Sequence, residues 1–231
     1  MKKRSVNTLF MLMSLDGRIS SGASDDYDLE DSILKIPEIA KGLQQYYDLE
    51  QQTDLWSFNT ARTLTKVTST NYNERTELRA KIPVSFILVD NQQHFNRTAI
   101  KYLSNWLQKV VIVTTKTDYE TFGYENVSVI HYDDKIDFHD LFEQLYEKFG
   151  VEKVTIQSGG TLNGVLLREK LFDFVNIVVA PVLVGGRSVS TLIDGENPQS
   201  LADLGILKLI ECKTLADSYL NLRYEVVKRT V

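Results

Sequence analysis

What this chain lacks narrows its class before anything it contains. A single cysteine among 231 residues, Cys212, excludes an internal disulfide framework and fits a reducing, cytoplasmic setting. Cys212 lies in the apolar stretch from Leu207 to Leu215, so a buried, inert thiol is expected. Four prolines and 12 glycines exclude a collagen-like or linker-rich chain. No apolar run approaches the roughly 20 residues of a membrane span. Lys2-Lys3-Arg4 ahead of Leu9-Phe10-Met11-Leu12-Met13 imitates a signal peptide, but the apolar core is short, no Ala-x-Ala site follows, and Asp16 interrupts. The histidines, His94, His131 and His139, are scattered without metal-ligand spacing, so no metal is expected. No G-x-S-x-G nucleophile motif occurs.

Positive charge is also scarce. Lys plus Arg number 26 against 31 Asp plus Glu, a net charge of −5, with pI near 5.3. Such a surface repels phosphate polymers, and no dense basic stripe overrules it. Nucleic acid is thereby excluded as a general partner.

What is present is a globular balance, 43% apolar and 25% charged, enough to bury a core. Strand-length apolar runs fall at Thr8–Ser14, Asp54–Phe58, Val84–Val89, Val110–Thr114, Val127–Tyr132, Val154–Gln157, Phe174–Ala180, Leu207–Leu215 and Tyr219–Val227. Continuous Val/Ile runs such as Val110-Val111-Ile112-Val113 suit strands covered on both faces. Helical spacing alternates with them, at Leu29–Gln51 (broken or kinked at Pro37), Thr98–Leu107, Asp137–Phe149 and Leu162–Lys170. Asp137 is placed to cap its helix and Gly150 to end it. Ser57–Ala80 is polar and irregular, a short helix with a surface loop. The last two strands, around Thr214–Ser218, predict an antiparallel hairpin. The pattern reads as one α/β domain over residues 1–231, a mixed, mainly parallel sheet flanked by helices and closed by that hairpin.

Three turns could carry chemistry. Gln157-Ser158-Gly159-Gly160-Thr161-Leu162-Asn163 runs from a predicted strand into a predicted helix. Its glycines admit close backbone approach, and free amides at a helix start suit a pyrophosphate. The same pair equally serves a purely steric turn. Pro181-Val182-Leu183-Val184-Gly185-Gly186-Arg187 leaves another strand through a second glycine pair, which alone reads as a strand-to-loop turn. Ser14-Leu15-Asp16-Gly17-Arg18-Ile19-Ser20 ends the first strand; Asp16 could polarise a substrate or merely make an Asp-Gly turn. Open α/β sheets bind ligands outside the carboxyl ends of their strands.

Taken in order, Ser-Leu-Asp-Gly, Gly-Gly-Thr-Leu-Asn, Leu171-Phe172-Asp173-Phe174 and Ala180-Pro181-Val182-Leu183-Val184-Gly185-Gly186 form a series. It resembles the reductase domain of bacterial riboflavin biosynthesis (the RibD C-terminal domain) within the dihydrofolate-reductase-like superfamily. The resemblance runs from about Leu9 to Val227 and is most specific in the C-terminal half. It implies a dihydrofolate-reductase-like domain, commonly homodimeric, that uses NADPH to reduce a small heterocyclic or ribosylamine substrate in riboflavin or pterin metabolism. It assigns cofactor binding to Ser158, Gly159, Gly160, Thr161, Leu162 and Asn163, and to Asn59, Thr60 and Asn91. It makes Ser14 and Ser24 substrate contacts and Asp16 the residue for substrate polarisation or proton delivery. Arg62, Lys116 and Arg187 are each candidates for a 2′-phosphate contact or solvated surface charges.

The departures concern the substrate side. Ser158 stands where the family usually has glutamate, Leu64-Thr65-Lys66-Val67 replaces an Asp-Asp-Pro or Asp-Asn-Pro element, and Phe10 stands where a basic residue is frequent. They motivate an alternative, a nucleotide-binding protein that kept the fold and lost its substrate site.

Overall fold

A computed structural model describes residues 3–24, 27–67 and 80–228. In chain order its strands are β1 (Val6–Ser14), β2 (Trp56–Thr60), β3 (Ser85–Val89), β4 (Val110–Thr114), β5 (Val127–His131), β6 (Lys153–Ile156), β7 (Phe174–Ala180), β8 (Leu207–Thr214) and β9 (Leu220–Val226). The helices are α1 (Leu29–Ile33), α2 (Pro37–Ala40), α3 (Gln44–Glu50), α4 (Ala61–Val67), α5 (Arg97–Trp106), α6 (Phe138–Phe149) and α7 (Gly160–Arg168). All nine strands fall on the predicted apolar runs. The loop expected within Ser57–Ala80 lies, over 68–79, outside the described residues. The chain divides into two compact units: Met1–Ser5 with Asp54–Val154, and Val6–Thr53 with Thr155–Val231.

In the first unit the strand order is β5-β4-β3-β2, and every neighbouring pair is parallel. Each residue of β4 is buried, as its unbroken apolar run requires. The core gathers Leu88, Phe95, Ile100, Leu103, Val110 and Ile112 beneath α4 and α5. Helix α6 begins and ends where expected: the Asp137 carboxylate accepts from Asp140 N, and Gly150 closes the helix at φ 68°. Its Phe138 and Phe142 rings pack on Phe58 of β2. Burying a ring such as Phe142 contributes about 2–3 kcal/mol.

In the second unit the order is β1-β7-β9-β8. β1 and β7 are parallel, while β7/β9 and β9/β8 are antiparallel, giving the predicted hairpin. Its turn uses the left-handed region at Asp217 (φ 53°) and Ser218 (φ 66°). The predicted helix Leu29–Gln51 is three pieces. Ile36 is extended at φ −110°, and Pro37 opens α2 at its first position, because proline pushes its predecessor out of the helical region. Leu29, Ile33, Leu43 and Tyr46 bury against Phe10, Leu12 and Val178.

One expectation fails in β8. Its apolar run predicts burial, yet Leu207, Leu209 and Ile210 are 44%, 52% and 51% exposed, and Cys212 is exposed too. β8 bonds only to β9, at the end of its unit's strand order, and every residue of it but Glu211 is exposed. Among the described residues no helix is long and apolar enough to cross a membrane.

Candidate functional site

The glycine pair of the 157–163 segment has two separate roles. α7 starts at Gly160, two residues earlier than predicted, and Gly159 is its N-cap at an ordinary φ of −69°. A Cβ on Gly159 would meet nothing within 4 Å, whereas one on Gly160 would collide with the carbonyl of Thr191 and the carboxylate of Asp194. A Cβ on Gly164, one turn on, would strike the Asp194 carbonyl. Gly160 and Gly164 therefore admit the 191–194 segment onto α7, and Gly159 alone fronts open space. No side chain caps the helix. Among the described residues the amides of Gly160, Thr161 and Leu162 carry no acceptor, the first bonded amide being Asn163 N to Gly159 O at 3.0 Å. That is a ready seat for an anion.

Ser158 and Asn163 were expected to touch cofactor, but both are fully buried. Ser158 Oγ donates to Asn163 Oδ1 at 2.6 Å, and Asn163 Nδ2 donates to Leu192 O at 2.9 Å. Their side chains brace the turn from behind; Thr161 is exposed, Gly159 and Leu162 are partly exposed, and Gly160 is buried.

The turn after β1 is also built from within the second unit. Asp16 accepts from Ser14 Oγ at 2.6 Å, Val184 N at 3.0 Å and Gly185 N at 2.7 Å. The Ser14 hydroxyl, then the two amides, hold its carboxyl down at about 2. Asp16 thereby fastens the second glycine pair, where Gly185 and Gly186 take positive φ, 71° and 81°. Ser14, expected on the substrate, is buried; its hydroxyl also accepts from Arg18 N at 2.9 Å. Ser24 is exposed.

Sequence reasoning missed a half-buried polar group at Gln157. Gln157 Nε2 donates to Glu50 Oε1 at 2.5 Å. Glu30 is pushed up to about 8, first by burial and then by the facing charges of Asp28 and Glu50, while a Tyr47 hydrogen bond acts in the opposite sense. Burial also raises Glu50. Tyr46, in the same group, stacks on Phe10 with ring centroids 5.2 Å apart.

On the first unit, the carboxyl ends of β2, β3 and β4 lie side by side. Asn59 is buried and donates to Ser57 Oγ at 2.7 Å. Thr60 Oγ1 accepts from Thr63 N at 3.0 Å at the start of α4. Asn91 is exposed, and its Oδ1 accepts from Thr115 N at 2.9 Å. Asp90, buried at the end of β3, accepts from His94 N, His94 Nδ1, Phe95 N and Tyr119 Oη. The sequence offered a clue here, an Asp and His four residues apart. Among the described residues, no group of three or more His, Cys, Asp or Glu could hold a metal.

Comparison with known proteins places this geometry. The 2,5-diamino-6-ribosylamino-4(3H)-pyrimidinone 5′-phosphate reductase of Methanothermobacter thermautotrophicus is 39% identical over 83 residues, 36% of this chain and 38% of that protein. The chain therefore matches well under half the length of that curated relative. Acinetobacter baumannii RibD shares the fold with a TM-score of 0.70 at 20% identity, over 97% of this chain and 58% of that one. The Saccharomyces riboflavin biosynthesis reductase Rib7 does so with a TM-score of 0.62 at 16% identity, over 97% and 90%. The profile of the RibD C-terminal domain matches residues 6–220, and the chain belongs to that family.

Proposed function

We propose that this protein is an NADPH-dependent reductase acting on a ribosylamino-pyrimidine phosphate of the kind named for its relatives. The observation that carries the proposal is the unfilled space at Gly159 in front of three unbonded amides. A dinucleotide's diphosphate fits such a seat, since it needs backbone donors and no Cβ. When bound, NADPH supplies the hydride. The chain's own contribution is placement: Gly160, Thr161 and Leu162 amides hold the phosphate charge, with Ser158 and Asn163 keeping those amides aligned. Asn59, Thr60 and Asn91 are proposed as cofactor neighbours on the first unit. Asp16 holds the Gly185–Gly186 turn in place, and Ser24 is proposed as a substrate contact.

The test is direct. Purified protein with NADPH and 2,5-diamino-6-ribosylamino-4(3H)-pyrimidinone 5′-phosphate should consume both, giving the ribitylamino product by mass spectrometry. Tight NADPH binding without turnover would replace the reductase with the nucleotide-binding alternative.

The exposed β8 supports a homodimer, since an uncovered apolar edge strand invites strand pairing. Labelling tests it. Cys212, exposed in the single chain, should react slowly with a thiol reagent in concentrated protein and fast after dilution. Equal rates at all concentrations would remove β8 as the contact.

A further inference from the structure

One stretch of the second unit, residues 189–194, is bonded both to the start of α7 and to the turn after β1. On the α7 side, Asp194 N donates to Gly160 O at 2.9 Å, and Leu192 O accepts from Asn163 Nδ2 at 2.9 Å. On the β1 side, Leu192 N donates to Gly17 O and Ile19 N to Ser190 O, each at 3.0 Å. These two bonds flank a one-residue antiparallel bridge between Arg18 and Thr191. Arg18 Nη1 adds a bond to Val189 O at 2.5 Å. The stretch is thus a strap laid between two turns that are far apart in sequence. Gly160 and Gly164 are what let it lie on the α7 backbone.

Two side chains set the shape of the strap. Both carboxylate oxygens of Asp194 accept from Thr191 N, at 3.2 and 3.1 Å, and Oδ1 also accepts from Thr191 Oγ1 at 2.6 Å. A carboxylate beside a helix start ordinarily accepts from the free amides there. That of Asp194 lies against Gly160, where an added Cβ would meet its Oδ2, yet it turns back onto its own strap and leaves the amides of 160–162 open. We propose that Thr191 and Asp194 are positioning residues: through the strap they hold the nucleotide seat at 160–162 in fixed register with the 16–19 turn. That turn leads on to Ser24, the proposed substrate contact. For a reaction between two bound ligands such register decides rate more than affinity, since a misplacement of about 1 Å costs about 100-fold. The inference rests on the reductase reading above and adds the residues that set the spacing of its two ligands.

Residue-resolved hydrogen exchange on the free full chain tests the strap, and steady-state kinetics with calorimetric NADPH affinity test its use. Asp194→Asn sets an NH2 against a donor, and Thr191→Val removes the hydroxyl with little change of shape. Both should speed exchange at the Ile19, Leu192 and Asp194 amides at least about tenfold and leave Asn163 N, inside α7, as protected as before. Both should lower kcat about tenfold or more while NADPH affinity stays within about threefold. Thr191→Ser, which keeps the hydroxyl, should restore both measures. Exchange that rises at Asn163 as well would mean a merely structural role and overturn the proposal. An unchanged kcat with a loosened strap, or a kcat loss only in step with NADPH affinity, would overturn it too. If the wild type turns nothing over, the reductase reading fails, and the exchange pattern alone upholds or overturns the strap.

Discussion

Gly159→Asp should abolish most dinucleotide affinity while leaving the fold as stable as before or slightly more so. The position is at φ −69° and ψ 159°, open to any L residue, and its Cβ has space around it. Aspartate is a favoured N-cap, better than glycine by a few tenths of a kcal/mol. Its carboxylate would accept from the amides of the first turn, the very donors proposed for the diphosphate, and would repel the phosphates as well. Losing one or two charge-assisted bonds at about 1.5–3 kcal/mol each predicts a fall in NADPH affinity of about 100-fold. Calorimetry gives the affinity and thermal melting the stability.

The opposite signature belongs to its neighbours. Gly164→Ala must push against the backbone carbonyl of Asp194, and Gly160→Ala against that of Thr191. Neither neighbour is a flexible side-chain end, so both variants should melt several degrees lower, whatever happens to nucleotide. A Gly159→Asp protein that binds NADPH normally, or that unfolds as Gly164→Ala does, would mean the open space has no part in cofactor binding.

How far the chain could be read before its structure depended on whether the relevant physics was local. The strands were legible because Val and Ile runs are long, continuous and bounded by turn residues. β8 was misread because an apolar run looks the same whether or not anything covers it; only its place at the end of the strand order decides that. The start of α7 was misplaced because two glycines read as punctuation. The spacing of Gly160 and Gly164, one helical turn apart, was a visible sign of close backbone approach instead. Asp16 stood out beside Gly17, but two of its partners, Val184 and Gly185, lie 168 and 169 residues on, beyond any local pattern. Nothing local in the sequence singles out Glu30; Tyr47 and Glu50, which act on it, come from α3.

That environment makes Glu30 a pH lever on the stability of the second unit. Unfolded, its carboxyl titrates near 4.5; folded, it is raised to about 8, chiefly by burial. Below the lower value both states hold the proton and the interior site costs nothing. As pH rises, the unfolded chain releases the proton while the folded one keeps it. Stability therefore declines through this window and levels off only once the folded group ionises. Glu30→Gln keeps an oxygen to accept from Tyr47 and has no proton to lose, so the decline should vanish. Wild type and variant should melt together at acid pH and diverge by pH 8, the variant ahead by up to ~5 kcal/mol. Other titrating groups are common to both proteins and cancel in the difference. Glu50, raised in the same direction but paired with Gln157, should give a smaller divergence as Glu50→Gln. Melting curves for Glu30→Gln that track the wild type from acid to alkaline pH would mean that this carboxyl is already ionised inside the fold.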